Sequence, residues 1–262
     1  MTLSIAIAGA AGHMGRALIS AALQRGIRIS GGTERAGSPV LGVDLATLAG
    51  HAAIGAVVTT DAAAIPADVW IDFTTPAATL AALAATPARA AIIGTTGLSE
   101  SDEARIRAAA KVKAIVRSGN FSLGVNLLAA LVEQAAAKLG PEWDIEIVEA
   151  HHRRKIDAPS GTALMLGDAA AAGRKVALKD KRLAPRDGVS GARPEGGIGF
   201  AVIRGGGIVG EHDVRFASER EVLTLSHQAL DRSLFADGAL AAAIWAADKP
   251  PGLYSMRDVL GL

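Results

Sequence analysis

The 262-residue chain has no cysteine. That removes disulfides, soft thiolate metal sites and any thiol nucleophile, and it fits the cytosol, so a cytoplasmic protein is expected. Aromatic residues are only 3% of the chain, and much of its hydrophobic half is alanine. Neither charge sign is in excess: 27 Lys and Arg stand against 26 Asp and Glu, a formal +1, which gives no support for a nucleic acid or a membrane surface as partner. No apolar segment is long enough to span a bilayer. The opening MTLSIAIAGAAG lacks a basic leader and breaks at Gly9, so it reads as a strand and not as a signal peptide. Internal repeats, low-complexity tails and long charged blocks are lacking as well.

What the chain does have is a dense polar stretch, Glu149 to Leu164, EAHHRRKIDAPSGTAL. The apolar run Trp143 to Val148 leads into it as a strand. Pro159 stops that pattern, and Ser160 is a natural N-cap for a helix through Leu164 and Leu166. A helix start is positive and rich in N–H donors; Gly161 lets a ligand approach the backbone and Thr162 adds a hydroxyl. Ser160, Gly161 and Thr162 therefore form a cradle suited to a carboxylate or phosphate. His151, His152 and Lys155 stand a few residues before it, which points to proton delivery to an anionic substrate. No metal is expected, because adjacent strand residues point to opposite faces and no Cys completes a soft site.

The first half of the chain carries a second pattern. Leu3 to Ala8 is an uncharged strand, followed by Gly9, Ala10, Ala11, Gly12, His13, Met14 and Gly15, then a helix from Arg16 to Gln24. Strand, glycine turn and helix are the context of a dinucleotide fingerprint, although the spacing is G-x-x-G-x-x-G. The next strand, Ile27 to Ser30, leads to Glu34, at the distance where an acidic residue binds a ribose diol. Arg35 beside it suits a 2′-phosphate, so the pair does not choose between NAD and NADP. Further strands, at Asp68–Phe73, Ala90–Ile93 and Ala114–Val116, end in small polar turns that include Gly94, Thr95 and Thr96, and Ser118, Gly119, Asn120 and Phe121. Ligands bind at such carboxyl ends in an open α/β sheet.

The alternation predicts an α/β fold with a doubly wound parallel sheet. After a long helix from Leu123 the pattern changes. Residues 173–194 read as a mobile loop, and three strand-like runs follow, at Ile198–Arg204, Ile208–Phe216 and Glu221–His227, suggesting a second, mixed α+β domain. The tail helix Ser233–Ala247 is expected to pack back on the first sheet. The expected division is therefore residues 1–122 plus 233–262 as a dinucleotide-binding domain, and residues 123–232 as a substrate-binding and oligomerisation domain.

On these residues the sequence resembles the 4-hydroxy-tetrahydrodipicolinate reductase family, formerly dihydrodipicolinate reductases, over nearly its whole length. The signature E-A-H-H-x-x-K-x-D-A-P-S-G-T-A stands at Glu149–Ala163. Supporting motifs are Ala8–Gly15, Ile93–Gly97, Asn120–Asn126, Ile208–His212 and Met256–Leu260. The resemblance implies a Rossmann-like domain beside the mixed one, a homotetramer, and an enzyme of lysine and diaminopimelate biosynthesis. It implies hydride transfer from NADH or NADPH to a cyclic dicarboxylate with a C=N bond, with loss of water. It makes His151 the general acid/base, Lys155 the proton donor to the ring nitrogen, and His152, Gly161 and Thr162 carboxylate binders. Gly9 to Met14, Glu34, Arg35, Gly94 to Thr96 and Ser118 to Phe121 become cofactor contacts. Many members carry Arg or Lys at the position of His13 and some carry Arg at that of Thr75. Two other readings keep the fold: a reductase of another carboxylated substrate, and a non-catalytic nicotinamide-binding redox sensor. Proton donors beside an anion cradle argue against the sensor.

Overall fold

The structure, a computed structural model, describes residues 3–262; Met1 and Thr2, at the head of the opening segment, lie outside the described residues. The chain alternates β1 (Ser4–Ala8), α1 (His13–Gln24), β2 (Arg28–Thr33), α2 (Leu45–Leu48), β3 (Val58–Thr59), β4 (Val69–Asp72), α3 (Pro76–Ala85), β5 (Ala90–Ile93), α4 (Glu100–Ala109) and β6 (Ala114–Arg117). It continues through α5 (Leu123–Lys138), β7 (Asp144–His151), α6 (Gly161–Gly173), α7 (Leu178–Lys181), β8 (Ile198–Arg204), β9 (Gly210–Ala217) and β10 (Val222–Ala229), and closes with α8 (Leu234–Ala246), β11 (Gly252–Tyr254) and α9 (Met256–Leu260). Two compact units result: everything up to Leu123 together with Ser233–Leu262, and Gly124–Arg232.

The first unit is a seven-stranded sheet in the order β11-β6-β5-β4-β1-β2-β3, and every pairing is parallel. Its strands carry apolar residues on both faces, as a sheet covered on both sides requires. Ile5, Ile7, Ile71 and Ile92 pack toward α1 and α8, while Ala6, Trp70, Ile93 and Ile115 pack toward α3 and α4. Each large aliphatic side chain so buried contributes about 1.5–3 kcal/mol. In α8, Ala236, Ala239, Ala243 and Ala246 are fully buried, so alanine lets the tail helix lie close to the sheet. Chain order reverses at β1, which has β2 on one side and β4 on the other; the crevice at their carboxyl ends is where such sheets bind ligands.

The second unit is a four-stranded sheet, β10-β9-β7-β8, mixed because only β7 and β8 run parallel. Helices α5 and α6 cover one face, packing Leu128, Val132, Leu166 and Ala170 against Ile145, Ile147, Val214 and Phe216. Among the described residues no helix is long and apolar enough to cross a membrane.

Several expectations need correction. Strand β7 runs three residues past the apolar run, because Glu149, Ala150 and His151 keep pairing with β8, and Glu149 and Ala150 with β9 as well. Strand β2 runs on through Gly31, Gly32 and Thr33, past Ser30 where the strand is expected to end; a Cβ at Gly32 would stand 2.6 Å from Leu45, so close packing accounts for that glycine. The stretch 173–194 is not all loop: it holds α7, and near its end the Arg193 guanidinium donates to Glu146 and Asp144 at 2.9 and 2.6 Å and to the Ile145 carbonyl at 2.9 Å.

Candidate active site

At the end of β1 the chain turns at Gly9, whose φ of 61° suits glycine. A side chain at Gly15 would overlap the Gly9 and Ala10 carbonyls, so α1 lies tight against the strand. Gly12 caps α1 with no side-chain bond, which leaves the positive helix end to whatever anion lies before it. The turn is braced from β2: the Ala10 N–H donates to the Thr33 carbonyl at 3.1 Å and the Ala11 N–H to Glu34 Oε1 at 3.0 Å. Next to it opens a cleft of about 520 Å³, lined among others by Gly9, Thr33, Glu34, Arg35, Asp61 and Thr74. Thus Gly9, Glu34 and Arg35 meet at one cleft, Ala10, Ala11 and Gly12 form its turn, and His13 and Met14 open α1 at the surface and half-buried respectively. A dinucleotide fits this arrangement: an uncapped helix start for its phosphates and a carboxylate-lined cleft for its sugar.

The turns after β4 and β5 share one buried group. Asp72 is fully buried, and its carboxylate accepts from the Thr74 N–H and hydroxyl at 2.9 and 2.6 Å, from the Thr79 hydroxyl at 2.9 Å and from Thr95 at 3.3 Å. Trp70 donates to its other oxygen at 3.3 Å. The hydroxyl of Thr95 therefore faces inward, while Gly94 lies against Phe73 and Thr96 is exposed. Phe121 is buried with its ring edge-on to Phe73 at 5.2 Å. What the Ser118–Phe121 turn presents outward is its backbone and the exposed Gly119, shaped by Ser118 and Asn120, whose side chains bond within the turn.

The second unit gathers a cluster of titratable groups. Glu149 and His151 stand two apart on β7 and so share a face. Glu149 is 1% exposed. It takes two bonds from Arg204, at 2.7 and 2.8 Å, one from the Ser160 N–H at 3.0 Å, and meets His151 Nδ1 at 2.6 Å. Burial alone would raise the Glu149 pKa, but Arg204, His151 and the Ser160 N–H outweigh it and hold the carboxyl below its ordinary range. Arg204 also donates to the Asp157 carbonyl at 2.6 Å, tying the loop that carries Lys155 to β8. Lys155 pairs with Asp157 at 2.9 Å, and that partner keeps the Asp157 carboxyl below its usual range.

His212, 3% exposed, is paired with Glu149 across β7 and β9 and lies edge-on to His151 with ring centroids 5.1 Å apart. Burial first, and the neighbouring His151 next, push its pKa down to about 4. The Ser160 hydroxyl caps Ala163 at 3.1 Å and meets His212 Nε2 at 3.0 Å. Ser160 is thereby turned inward, and the expected anion cradle narrows to the start of α6. There Gly161 is exposed, with no atom within 4 Å of where a Cβ would sit, and Thr162 follows it. His152 lies beyond the end of β7, turned to Arg232 at 3.0 Å, and burial together with Arg154 and Arg232 lowers its pKa.

So His151, Lys155, Ser160, Gly161 and Thr162 come together, as their closeness in sequence suggests. Glu149, Arg204, His212, Arg232 and Asp72 were missing from the expected site. Glu149 had a legible signal, two residues before His151 on a strand. The others arrive through sheet pairing or tertiary packing.

The class defined by this fold and these two sets of residues is an oxidoreductase that uses a nicotinamide cofactor. Family comparison agrees. Residues 3–121 match the model of the dihydrodipicolinate reductase N-terminus and residues 124–260 that of its C-terminus. The 4-hydroxy-tetrahydrodipicolinate reductase of Parvibaculum lavamentivorans is 57% identical, covering 99% of this chain and 98% of that one; the enzyme of the same name from Methylocella silvestris is 56% identical over 99% and 97%. Among solved structures, dipicolinate-bound dihydrodipicolinate reductase from Paenisporosarcina sp. TG-14 shares the fold at a TM-score of 0.77 and 24% identity, over 97% of this chain and 98% of that one. The chain belongs to the dihydrodipicolinate reductase family.

Proposed function

We propose that the chain reduces 4-hydroxy-tetrahydrodipicolinate to tetrahydrodipicolinate, in lysine and diaminopimelate biosynthesis. The net change replaces a C–OH bond by C–H: one hydride and one proton enter and one water leaves. When bound, reduced nicotinamide supplies the hydride. The observation that carries the reading is the Glu149–His151 pair, joined through the Ser160 N–H to the start of α6. His151 exchanges a proton through Nε2. Lys155, held in reach by Asp157, neutralises charge that develops on the ring nitrogen as the hydride arrives. The N–H groups of Gly161 and Thr162, at the positive end of α6, hold one carboxylate, and the His152–Arg232 pair offers a second binding group for the substrate. Ser160 serves by capping that helix.

Residues up to Leu123 with the tail from Ser233 form the cofactor-binding part, and the intervening residues the substrate-binding and self-associating part. A homotetramer is supported by the sheet of the second unit, where α5 and α6 cover one face and the other carries Ile203 at 51% and Val222 at 60% exposure. For the cofactor we favour use of both NADH and NADPH, with NADH no worse. Glu34 and Asp61 at the cleft disfavour an added phosphate, and Arg35 attracts it.

The test couples the purified chain to synthase-generated substrate, from pyruvate and aspartate semialdehyde, and follows loss of nicotinamide absorbance. Turnover is expected with both cofactors; none with either would overturn the reading. In Arg35→Ala, KM for NADPH should rise by about tenfold more than KM for NADH, the worth of one charge-assisted contact. Equal rises would remove Arg35 from phosphate selection.

A further inference from the structure

We propose that Glu149 is a positioning residue that locks His151 in the Nδ1–H tautomer, making Nε2 the only ring nitrogen that exchanges a proton with substrate. The inference rests on the catalytic reading of His151 above, and four features of the structure carry it.

Glu149 is enclosed, and every partner it has is a donor or is forced to be one. Arg204 can only donate, the Ser160 backbone N–H can only donate, and an ionised carboxylate can only accept. The 2.6 Å contact with His151 Nδ1 is therefore a bond in which Nδ1 carries the proton. The opposite tautomer would set a nitrogen lone pair against a carboxylate oxygen with no solvent to intervene, since the Glu149 side chain is 0% exposed and that of His151 12%.

Space is kept for the other nitrogen. A Cβ at Gly210 would stand 3.2 Å from His151 Nε2, so a side chain there would crowd the atom assigned to proton exchange. The ring plane is set from a second side by His212, whose ring stands at 74° to it.

The carboxylate is itself fixed. Arg204 grips both of its oxygens in a fork and reaches on to the Asp157 carbonyl. The geometry of His151 is thereby set by the same guanidinium that holds the Lys155 loop. Arg204 also offsets the carboxylate charge, so Glu149 orients the ring without drawing its proton away. With Nδ1 occupied, Nε2 is bare when the ring is neutral and an N–H donor when it is charged, so the proton is delivered at one defined atom.

The experiment uses the full chain labelled with 15N-histidine, His151 being assigned by its loss in His151→Gln. In the parent at neutral pH, the Nδ1 signal should have the shift of a protonated ring nitrogen and Nε2, when the ring is neutral, that of a bare one. A parent in which Nε2 holds the proton of the neutral ring overturns the proposal without any variant. In Glu149→Gln the amide oxygen keeps the Ser160 N–H and one arm of the Arg204 fork, while an NH₂ replaces the oxygen that His151 and the other arm share; Nδ1 then loses its acceptor, so the tautomer should flip and kcat should fall by at least about tenfold. The dissociation constant of pyridine-2,6-dicarboxylate should stay within about threefold, because the cradle at α6 is retained. A variant that folds, by its thermal melt, and keeps both parental kcat and tautomer overturns the proposal. If the parent reduces no substrate with either cofactor, the functional reading fails, while the NMR result still decides what Glu149 does to the ring.

Discussion

Asp72 and Glu149 are both buried carboxylates at the carboxyl ends of strands, yet they are held in opposite ways. Asp72 sits among neutral donors: threonine hydroxyls, one backbone N–H and an indole. No cation is within ion-pair distance of it among the described residues. Glu149 sits among charged or chargeable groups, Arg204 and His151. Neutral donors give directional bonds at little cost in specificity of protonation, and they suit a group whose task is to lock turns together. Charged partners place a carboxylate in a circuit where moving one proton changes every member. The first arrangement suits a group that holds shape, the second the proton exchange proposed for His151.

The largest effect should come from breaking the charged circuit. His151→Gln should lower kcat by on the order of 10²-fold or more, the usual worth of a positioned acid, with little loss of stability. Parental turnover in that variant would remove His151 from the chemistry.

Next comes pH. His212 has its pKa pushed down to about 4 by burial, against 6.5 for an ordinary histidine. Between those values the unfolded chain holds a proton that the folded chain does not. Its contribution is therefore fully present above about pH 6.5 and lost as pH falls toward 4, on the order of 3 kcal/mol in all. The groups facing it are His151 and Glu149 from β7, His227 from β10, and Lys155 from the loop. Glu149, with a lowered pKa, loses its contribution in the same direction but only below its ordinary value of 4.5. Denaturant melts across this range should show the loss in the parent, and His212→Gln should reduce the slope above pH 4.5, leaving the part that His227 and His152, whose pKa values are also lowered, contribute in the same direction. An unchanged slope there would assign the loss elsewhere.

The smallest effect probes the neutral network. Thr95→Val removes the hydroxyl that bonds Thr79 at 2.7 Å and reaches Asp72 at 3.3 Å, a loss of about 1 kcal/mol, and should weaken cofactor binding about fivefold while leaving kcat at saturation unchanged. Titration of the cofactor by fluorescence checks it; a fall in kcat with unchanged binding would contradict the division of labour.

This contrast also explains what could be read in the sequence. The glycine turn and Glu34 follow from local spacing, and so does the Ser160 cap of α6. The proton cluster was visible because His151, Lys155 and Gly161 lie within one short stretch. Arg204 was not, because it reaches Glu149 only through β7–β8 pairing, 55 residues away. Asp72 was read as part of an ordinary buried strand, since its role depends on the β4 and β5 turns meeting. Strand β3 has two residues and β11 three, too few for a periodicity. The strand's extension through Gly31 and Gly32 was not legible, because glycine is rare inside strands, whereas here the neighbours leave no room for a side chain.

The most direct test measures the two carboxylates side by side, in Asp72→Asn and Glu149→Gln, by cofactor dissociation constant and by kcat at saturating cofactor. The account predicts that Asp72→Asn weakens the cofactor by about fivefold or more with kcat nearly unchanged, and that Glu149→Gln lowers kcat by about tenfold or more with cofactor binding nearly unchanged. Both variants moving the same parameter, or each moving the other's, would contradict it.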